Sequence, residues 1–380
     1  MIEVDEVDAA VGTGLKVTCT RDELLRHLGV VSRAASTRMT VQILSGILLT
    51  AREGRLELAA TDMELSLRSS FDAEVAETGG VVVPARLLVE IARLLPDADV
   101  SIDHRPQEGA VVLTCASATY KLHTYNPDDF PVLPDVDKVQ LVPVDREAVL
   151  ETAGRVGRAA SRDESRPVLT GVLVRFEPGK LVMAATDSYR LSVKETAVEG
   201  GAPDLEAIVP ARALAELSRI AQAGDELVLG VYENNQVVFG TDGVWLTTRR
   251  IDGQFPDHKQ LLPETFEHEL SLPREELLEV VRRTAVMAQR NAPLRLRFAD
   301  GELTVSARTQ DVGEATETIP VAFTGEPLEI GFNPDFLREG IESVDDDELQ
   351  LKLISPLRPG LIRSAEGDFS YLIMPIRLAG

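Results

Sequence analysis

The sequence predicts an α+β protein built from three diverged copies of one unit, each with two helices packed on antiparallel sheet. Three ordered landmarks predict it. The first is a strand running into an amphipathic stretch: LKVTCTRDELLRHLGVVSRAAS (15–36), VQLVPVDREAVLETAGRVGRAAS (139–161) and HELSLPREELLEVVRRTAVMAQ (268–289), with Leu25, Leu150 and Leu278 in correspondence at steps of 125 and 128 residues. The second is LELAATDMELSL (56–67) against LVMAATDSYRLSV (181–193), which sets Asp62 and Asp187 125 residues apart; the third copy keeps only LTVSARTQD (303–311). The third is VVVPARLLVEIARLLP (81–96), AIVPARALAELSRIAQ (207–222) and the weaker EIGFNPDFLREGIESV (329–344). The expected division is an acidic N-terminal extension over 1–14 and units over 15–138, 139–265 and 266–380.

Each unit enters its two helices in the same way, by an apolar strand and then Thr, Pro or Asn. Thr20, Pro84, Pro143, Pro210, Pro273 and Pro334 therefore mark helix starts, where a missing N–H costs nothing. Between the helices, alternating stretches such as GILLTA, RLELAA, AVVLTCA, GVLVRF, ELVLGVY and LQLKLI, bounded by Gly, Asp and Asn, read as strands. Aromatics are only 4%, so the cores are aliphatic. Asp62 and Asp187 each follow an apolar strand and a Thr, the setting of a turn-forming Asp. Cys19 and Cys115 are expected as free, half-buried thiols, and the five histidines as surface or loop residues.

The 39 basic and 62 acidic residues leave a net charge of −23, which argues against avid, non-specific nucleic-acid binding unless the basic residues are gathered in one place. They are patterned. Arg26 and Arg33, Arg86 and Arg93, Arg212 and Arg219, and Arg283 and Arg290 are each seven apart; Arg155, Arg158 and Arg162 follow i, i+3, i+7. Arginine-bearing helix faces recurring in five of six helices suggest a basic surface, with acids displaced to other faces and to loops such as PDD (127–129) and DDDE (345–348). The opening MIEVDEVDAAVG is acidic where a secretory signal is basic and then apolar, and no apolar run approaches ~18 residues. A cytoplasmic, membrane-free protein is expected. There is no GxxxxGK[ST], GxSxG or HExxH motif and no Cys or His metal spacing, so no catalytic residue, metal or cofactor is expected.

The YLIMPIRL (371–378), RPVLTGVLV (166–174), AATDSYRLSV (184–193) and DGQFPDHKQLLP (252–263) segments, with the helix after VDREAVL, resemble the beta subunit of bacterial DNA polymerase III, the sliding clamp, over roughly residues 15–378. The resemblance implies a non-catalytic processivity factor: a head-to-tail homodimeric ring, sheets outside and helices lining a hole around duplex DNA. It implies sequence-independent DNA contact by Arg38, Arg86 and Arg212, with Arg162 and Arg166 of the SRDESR loop nearby. Some relatives carry aromatic residues in that loop where this chain has Pro167 and Val168. A partner-peptide pocket is implied at Leu169, Thr186, Tyr189, Arg190, Leu191, Pro256, Leu261, Asn333, Phe336, Leu372, Met374, Pro375 and Ile376. Its expected occupants are the polymerase III alpha subunit, the ATP-driven clamp loader, and other replication and repair proteins. The subunit interface would join Tyr120 and Leu122 to Val286 and Met287. A duplicate clamp, such as one conferring antibiotic resistance, is the alternative within the family. The residues add their own support for the pocket: Leu372, Met374 and Ile376 alternate and would share one face of an extended segment, while Pro375 argues against a central strand.

Overall fold

The computed structural model describes residues 14–36, 41–199, 203–222, 224–232, 235–288, 292–310 and 313–378. The chain divides into two compact units, Met1–Val144 with Arg219–Arg249, and Asp145–Ser218 with Arg250–Gly380. The second sequence copy is thus shared between them.

In the first unit, β1 (Lys16–Thr20) leads into α1 (Arg21–Val31), then β2 (Gly46–Arg52), β3 (Arg55–Thr61), β4 (Leu65–Asp72), β5 (Glu74–Glu77) and β6 (Gly79–Pro84). α2 (Ala85–Leu94), β7 (Asp99–Arg105), β8 (Ala110–Cys115), β9 (Ala118–His123) and β10 (Leu141–Val144) complete the first stretch. In the second unit α3 (Arg146–Val156) precedes β11 (Gly171–Glu177), β12 (Lys180–Thr186), β13 (Arg190–Ala197), β14 (Glu206–Pro210) and the start of α4 (Ala211–Ile220). The chain then returns to the first unit for β15 (Leu227–Tyr232), β16 (Gln236–Thr241) and β17 (Val244–Arg249). The rest of the second unit is α5 (His258–Leu261), β18 (His268–Pro273), α6 (Arg274–Ala285), β19 (Leu294–Ala299), β20 (Glu302–Thr309), β21 (Gly313–Pro320), β22 (Leu328–Phe332), α7 (Pro334–Glu342), β23 (Glu348–Leu353), β24 (Gly360–Arg363) and β25 (Phe369–Ile373).

Among the described residues the strands pair antiparallel throughout, as the α+β reading expects. The first unit holds sheets ordered β5-β1-β7-β8-β9 and β10-β15-β16-β17-β4-β3-β2-β6; the second holds β14-β11-β12-β13-β25-β24-β23-β18 and β21-β20-β19-β22. Two pairings join sequence copies. β17 pairs with β4, matching Thr247 with Ser66, and β25 pairs with β13, matching Leu372 with Leu191.

Each copy supplies the two expected helices. α1 is capped by Thr20, whose side chain accepts the Glu23 N–H at 3.3 Å, and buries Leu24, His27, Leu28 and Val31, one face at helical spacing. Pro84 and Pro273 each close a strand and occupy the N-cap, where a lost ladder donor does least harm. Pro143 is different: it lies inside β10, and α3 is instead started by Asp145, which accepts the Ala148 N–H at 3.0 Å. Asn333 caps α7, with Pro334 in its first turn. The Asp62 and Asp187 turns also behave as expected, each aspartate accepting backbone N–H groups two and three residues on.

Burial corrects the histidine and cysteine expectations. His27, His104 and His258 are buried, because each occupies an inward position of an amphipathic element, and both cysteines are fully buried. No helix among the described residues is long and apolar enough to cross a membrane.

Candidate partner groove and basic surface

One face of the larger sheet of the second unit carries a buried apolar cluster. Side chains directly opposite across an antiparallel ladder share a face. Leu173, Ala184 and Val193 on β11, β12 and β13, and Leu191, Leu372 and Leu361 on β13, β25 and β24, therefore line one side. They form a cluster with Ile208 and Phe255, against which Val168, Ile251, Leu262 and Phe266 pack part-buried. Exposed apolar groups stand at its border: Met374 is 44% accessible, Leu261 48% and Tyr189 61%. Leu169 and Pro256 are half-buried.

The turn Thr186–Arg190 shapes one end of this face. Asp187 Oδ1 accepts the N–H groups of Tyr189 at 2.9 Å and Arg190 at 3.0 Å, and the Thr186 hydroxyl donates to the Arg190 carbonyl at 2.6 Å. Ser188 takes a positive φ of 79°, which turns the chain sharply and leaves Tyr189 outward. The Tyr189 carbonyl then accepts the Met374 N–H at 2.8 Å, tying the end of β25 to the turn.

One expectation about the C-terminal segment is corrected here. β25 is a central strand with neighbours on both sides, and it ends at Ile373, before Pro375 removes a donor. Leu372 is 7% exposed and belongs to the cluster, Met374 is pinned to the turn, and Ile376 donates to the Gly331 carbonyl at 2.8 Å.

Arg190 lies on the other side. It is paired with Ile373, one step out of phase with Leu191 and Leu372, and a one-residue step along a strand changes faces. Its side chain is 8% exposed. Nε donates to Asp187 at 3.0 Å, Nη1 to Glu339 and to the Tyr371 hydroxyl, and Nη2 to the Arg158 carbonyl at 2.6 Å, while the guanidinium stacks 4.2 Å from the Phe336 ring centroid. Burial opposes its charge, but Tyr371 and Glu339 outweigh burial and raise its pKa; burial likewise pushes the Tyr371 phenol upward against the Arg190 charge. Phe336 and Asn333 stand with Arg190 at the start of α7, where Asn333 Oδ1 accepts the Asp335 and Phe336 N–H groups. Of the thirteen residues expected around one pocket, Leu191 and Leu372 lie in the apolar cluster, while Arg190 lies on the opposite face of the sheet against Phe336.

Most of the patterned arginines are exposed but interleaved with acids, contrary to the expected segregation. Arg86 Nε bonds Glu90 at 2.9 Å, Arg26 bonds Glu23 at 2.6 Å, and Arg283 bonds Glu317 at 2.7 Å. Two of the arginine stripes do not persist as helix faces. α1 ends at Val31, ahead of Arg33, and α3 ends at Val156, ahead of Arg158 and Arg162. Arg155 is mostly buried between Glu151 and Asp345, an acid expected to lie apart from the arginines. Arg162 and Arg212 are exposed; Arg166 bonds Asp163 and the Ser188 hydroxyl, each at 3.0 Å, beside the Tyr189 turn. Arg38 and Arg290 lie outside the described residues. Of the expected interface residues, Tyr120 is exposed and Leu122 buried on β9, an edge strand, and Val286 and Met287 follow the last helical residue of α6.

A three-copy α+β chain with this apolar sheet face defines a clamp class of binding protein, and comparison with known proteins names the family. The chain belongs to the DNA polymerase III beta subunit family: its N-terminal, central and C-terminal domains match residues 15–134, 143–257 and 259–377. The beta sliding clamp of Streptomyces coelicolor is 34% identical, over 96% of this chain and all of that one. That of Synechococcus elongatus is 35% identical with the same coverage. The Caulobacter crescentus clamp, solved with polyethylene glycol bound, superposes with a TM-score of 0.90 at 30% identity, covering 96% of this chain and 99% of that one. This is a processivity clamp of DNA replication, in a family of non-catalytic factors that work with DNA and polymerase.

Sequence reasoning missed Leu173, Val193, Ile208, Phe255 and Leu361 as the floor of the groove. One signal was available: Phe130-Pro131 and Phe255-Pro256 recur at the same 125-residue step as the Asp landmarks.

Proposed function

We propose that this chain acts in the cytoplasm as a head-to-tail homodimer of copies divided near 15–138, 139–265 and 266–380, encircling double-stranded DNA without reading sequence. Arg38, Arg86, Arg162, Arg166 and Arg212 would supply phosphate contacts, and Tyr120 and Leu122 would meet Val286 and Met287 of the second subunit. The apolar face of the second unit docks the polymerase III alpha subunit, the clamp loader, and other replication and repair proteins in turn, through Leu169, Thr186, Leu191, Pro256, Leu261, Leu372 and Met374. Tyr189 and the 375–376 segment border that face, while Arg190, Asn333 and Phe336 support it from behind.

The observation that carries this reading is the buried Leu191–Leu372 pair set between exposed Met374, Leu261 and Tyr189. Large apolar groups at the rim of an already packed floor can bury more area without rebuilding the core, and a methionine adapts to differing ligands. Two or three peptide side chains at ~1.5–3 kcal/mol each, less ordering costs, give at best micromolar affinity. Competing partners can then exchange.

The test replaces Met374 and Leu261 by Ser, both exposed enough to spare the fold, and measures binding of the cognate polymerase tail peptide and loader-dependent retention on nicked circular against linear DNA. Weakening of peptide binding by about tenfold or more per residue with the dimer intact, and a parallel fall in loader-dependent loading because the loader uses the same face, supports the groove. Unchanged peptide affinity would place the partner site elsewhere, and equal retention of the unaltered chain on circles and linear duplex would remove the encircling mechanism.

A further inference from the structure

The groove has a second copy in the scaffold. In the first unit β17 pairs with β4 as β25 pairs with β13 in the second, and both strands of the pair fall at the same 125-residue step. Thr61 donates to the Leu65 carbonyl as Thr186 does to Arg190, and Asp62 and Asp187 organise equivalent turns whose residues Met63 and Ser188 both have positive φ. The Arg249 N–H reaches the Glu64 carbonyl at 3.2 Å, as the Met374 N–H reaches Tyr189. The 3-10 turns Gln42–Ser45 and Pro167–Thr170 correspond, as do buried Phe130 and Phe255, each followed by Pro.

What differs is the lining. Where the second unit has Leu191, Val193 and Leu372, the first has Ser66, Arg68 and Thr247; where it has Met374 and Tyr189, the first has Arg249 and Glu64. Arg68 does not point away. Its side chain is 18% exposed, lies near Glu57, and donates from Nη2 to the Pro134 carbonyl at 3.0 Å, holding the 131–136 segment down. Ser66 is engaged with Thr61 at 2.8 Å. What remains between Ser66, Arg68, Leu133, Pro134, Val136, Trp245 and Thr247 is a hollow of about 10 Å³, room for roughly one water.

We infer that the first junction is a closed copy of the partner groove, shut by Arg68, Ser66 and Thr247, and that these three residues determine that each chain takes one partner peptide rather than two. An apolar peptide side chain entering there would have to displace the Arg68–Pro134 bond and strip water from hydroxyls it cannot satisfy, the kind of burial that proteins avoid. The inference rests on the groove assignment in the second unit.

Trp245 is the only tryptophan and lines the closed site, so it reports occupancy directly. The experiment titrates the full-length dimer with a tryptophan-free polymerase tail peptide, reading calorimetric stoichiometry and Trp245 emission together. The expected result is one peptide per chain with emission unmoved at saturation. The variant Ser66→Leu, Arg68→Val, Thr247→Leu should raise the stoichiometry to two, with emission now following the second event; a cooperative thermal unfolding transition followed by Trp245 emission serves as the folding control for the altered unit. Two sites in the unaltered chain, or emission that tracks the binding curve, would overturn the inference whether or not the variant folds. So would a folded variant that still binds one peptide. Absence of any peptide binding by the unaltered chain would instead count against the groove itself.

Discussion

Replacing Arg190 by Met removes a buried cation while keeping most of the apolar stem, and it tests whether this arginine holds the groove from behind or faces a ligand. The change deletes donors to Asp187, Glu339, the Tyr371 hydroxyl and the Arg158 carbonyl. Asp187 retains two backbone N–H donors, and the Tyr371 hydroxyl still donates to the Phe336 carbonyl at 2.9 Å, so the main orphan is Glu339. Breaking a buried pair from one side costs about 3–5 kcal/mol; because the Glu339 side chain is 25% exposed, the lower half of that range applies. At ~2–4 °C per kcal/mol for a domain of 150–250 residues, the unfolding transition of the second unit should fall by roughly 6–16 °C. Differential scanning calorimetry reads this, with hydrogen exchange at the Arg190 and Met374 amides locating the loss. Lys at 190 should rescue little, since a point charge cannot serve four acceptors in a fixed fork. A drop below about 3 °C, together with a loss of peptide affinity that varies with peptide charge, would show that Arg190 faces the ligand and would refute the supporting role.

Substituting Met287 by Arg should give monomers by light scattering, because a new charge in an apolar contact is left unpaired; an unchanged dimer would contradict the proposed interface. Alanine at Arg38, Arg86 and Arg212 should lower the salt slope of duplex binding by about one per lost phosphate contact, equally for all sequences. If slope and affinity both stay as they were, those side chains do not meet DNA. Burial holds His27, with Arg26 adding to the effect and Glu23 opposing it, below the ordinary histidine range; burial also lowers His104 and His258. Between these depressed values and the unfolded value of ~6.5 the unfolded chain binds more protons, so stability should be fully present above this window and be lost progressively as pH falls through it. His27→Gln should flatten that dependence in thermal melts from pH 7.5 to 5.5, and an unaltered dependence would remove His27 as a contributor.

The legible part of this protein is what short-range physics encodes. Helix caps, amphipathic spacing and Asx turns act within about ten residues, so Thr20, Asn333, Asp62 and Asp187 announced their local structures, and their repetition at a 125-residue step announced three copies. The His27 error belongs to the same level: its spacing with Leu24, Leu28 and Val31 placed it on the inward face of α1, and residue type was allowed to override pattern.

What only the tertiary structure decided is how the copies are joined and which way their side chains then face. β25 belongs to the third copy in sequence yet pairs with β13 of the second, across a separation that no local periodicity spans. That pairing made Leu372 part of a buried apolar cluster and, by the one-residue alternation of a strand, turned Arg190 to the opposite face beside Glu339 and Phe336. The same long-range step put Asp345 against Arg155 and dissolved an arginine stripe that the sequence displayed at perfect spacing. Periodicity specifies a face, but the neighbour that a face meets is chosen by the pairing of distant strands, whose energy is realised only once the chain has closed.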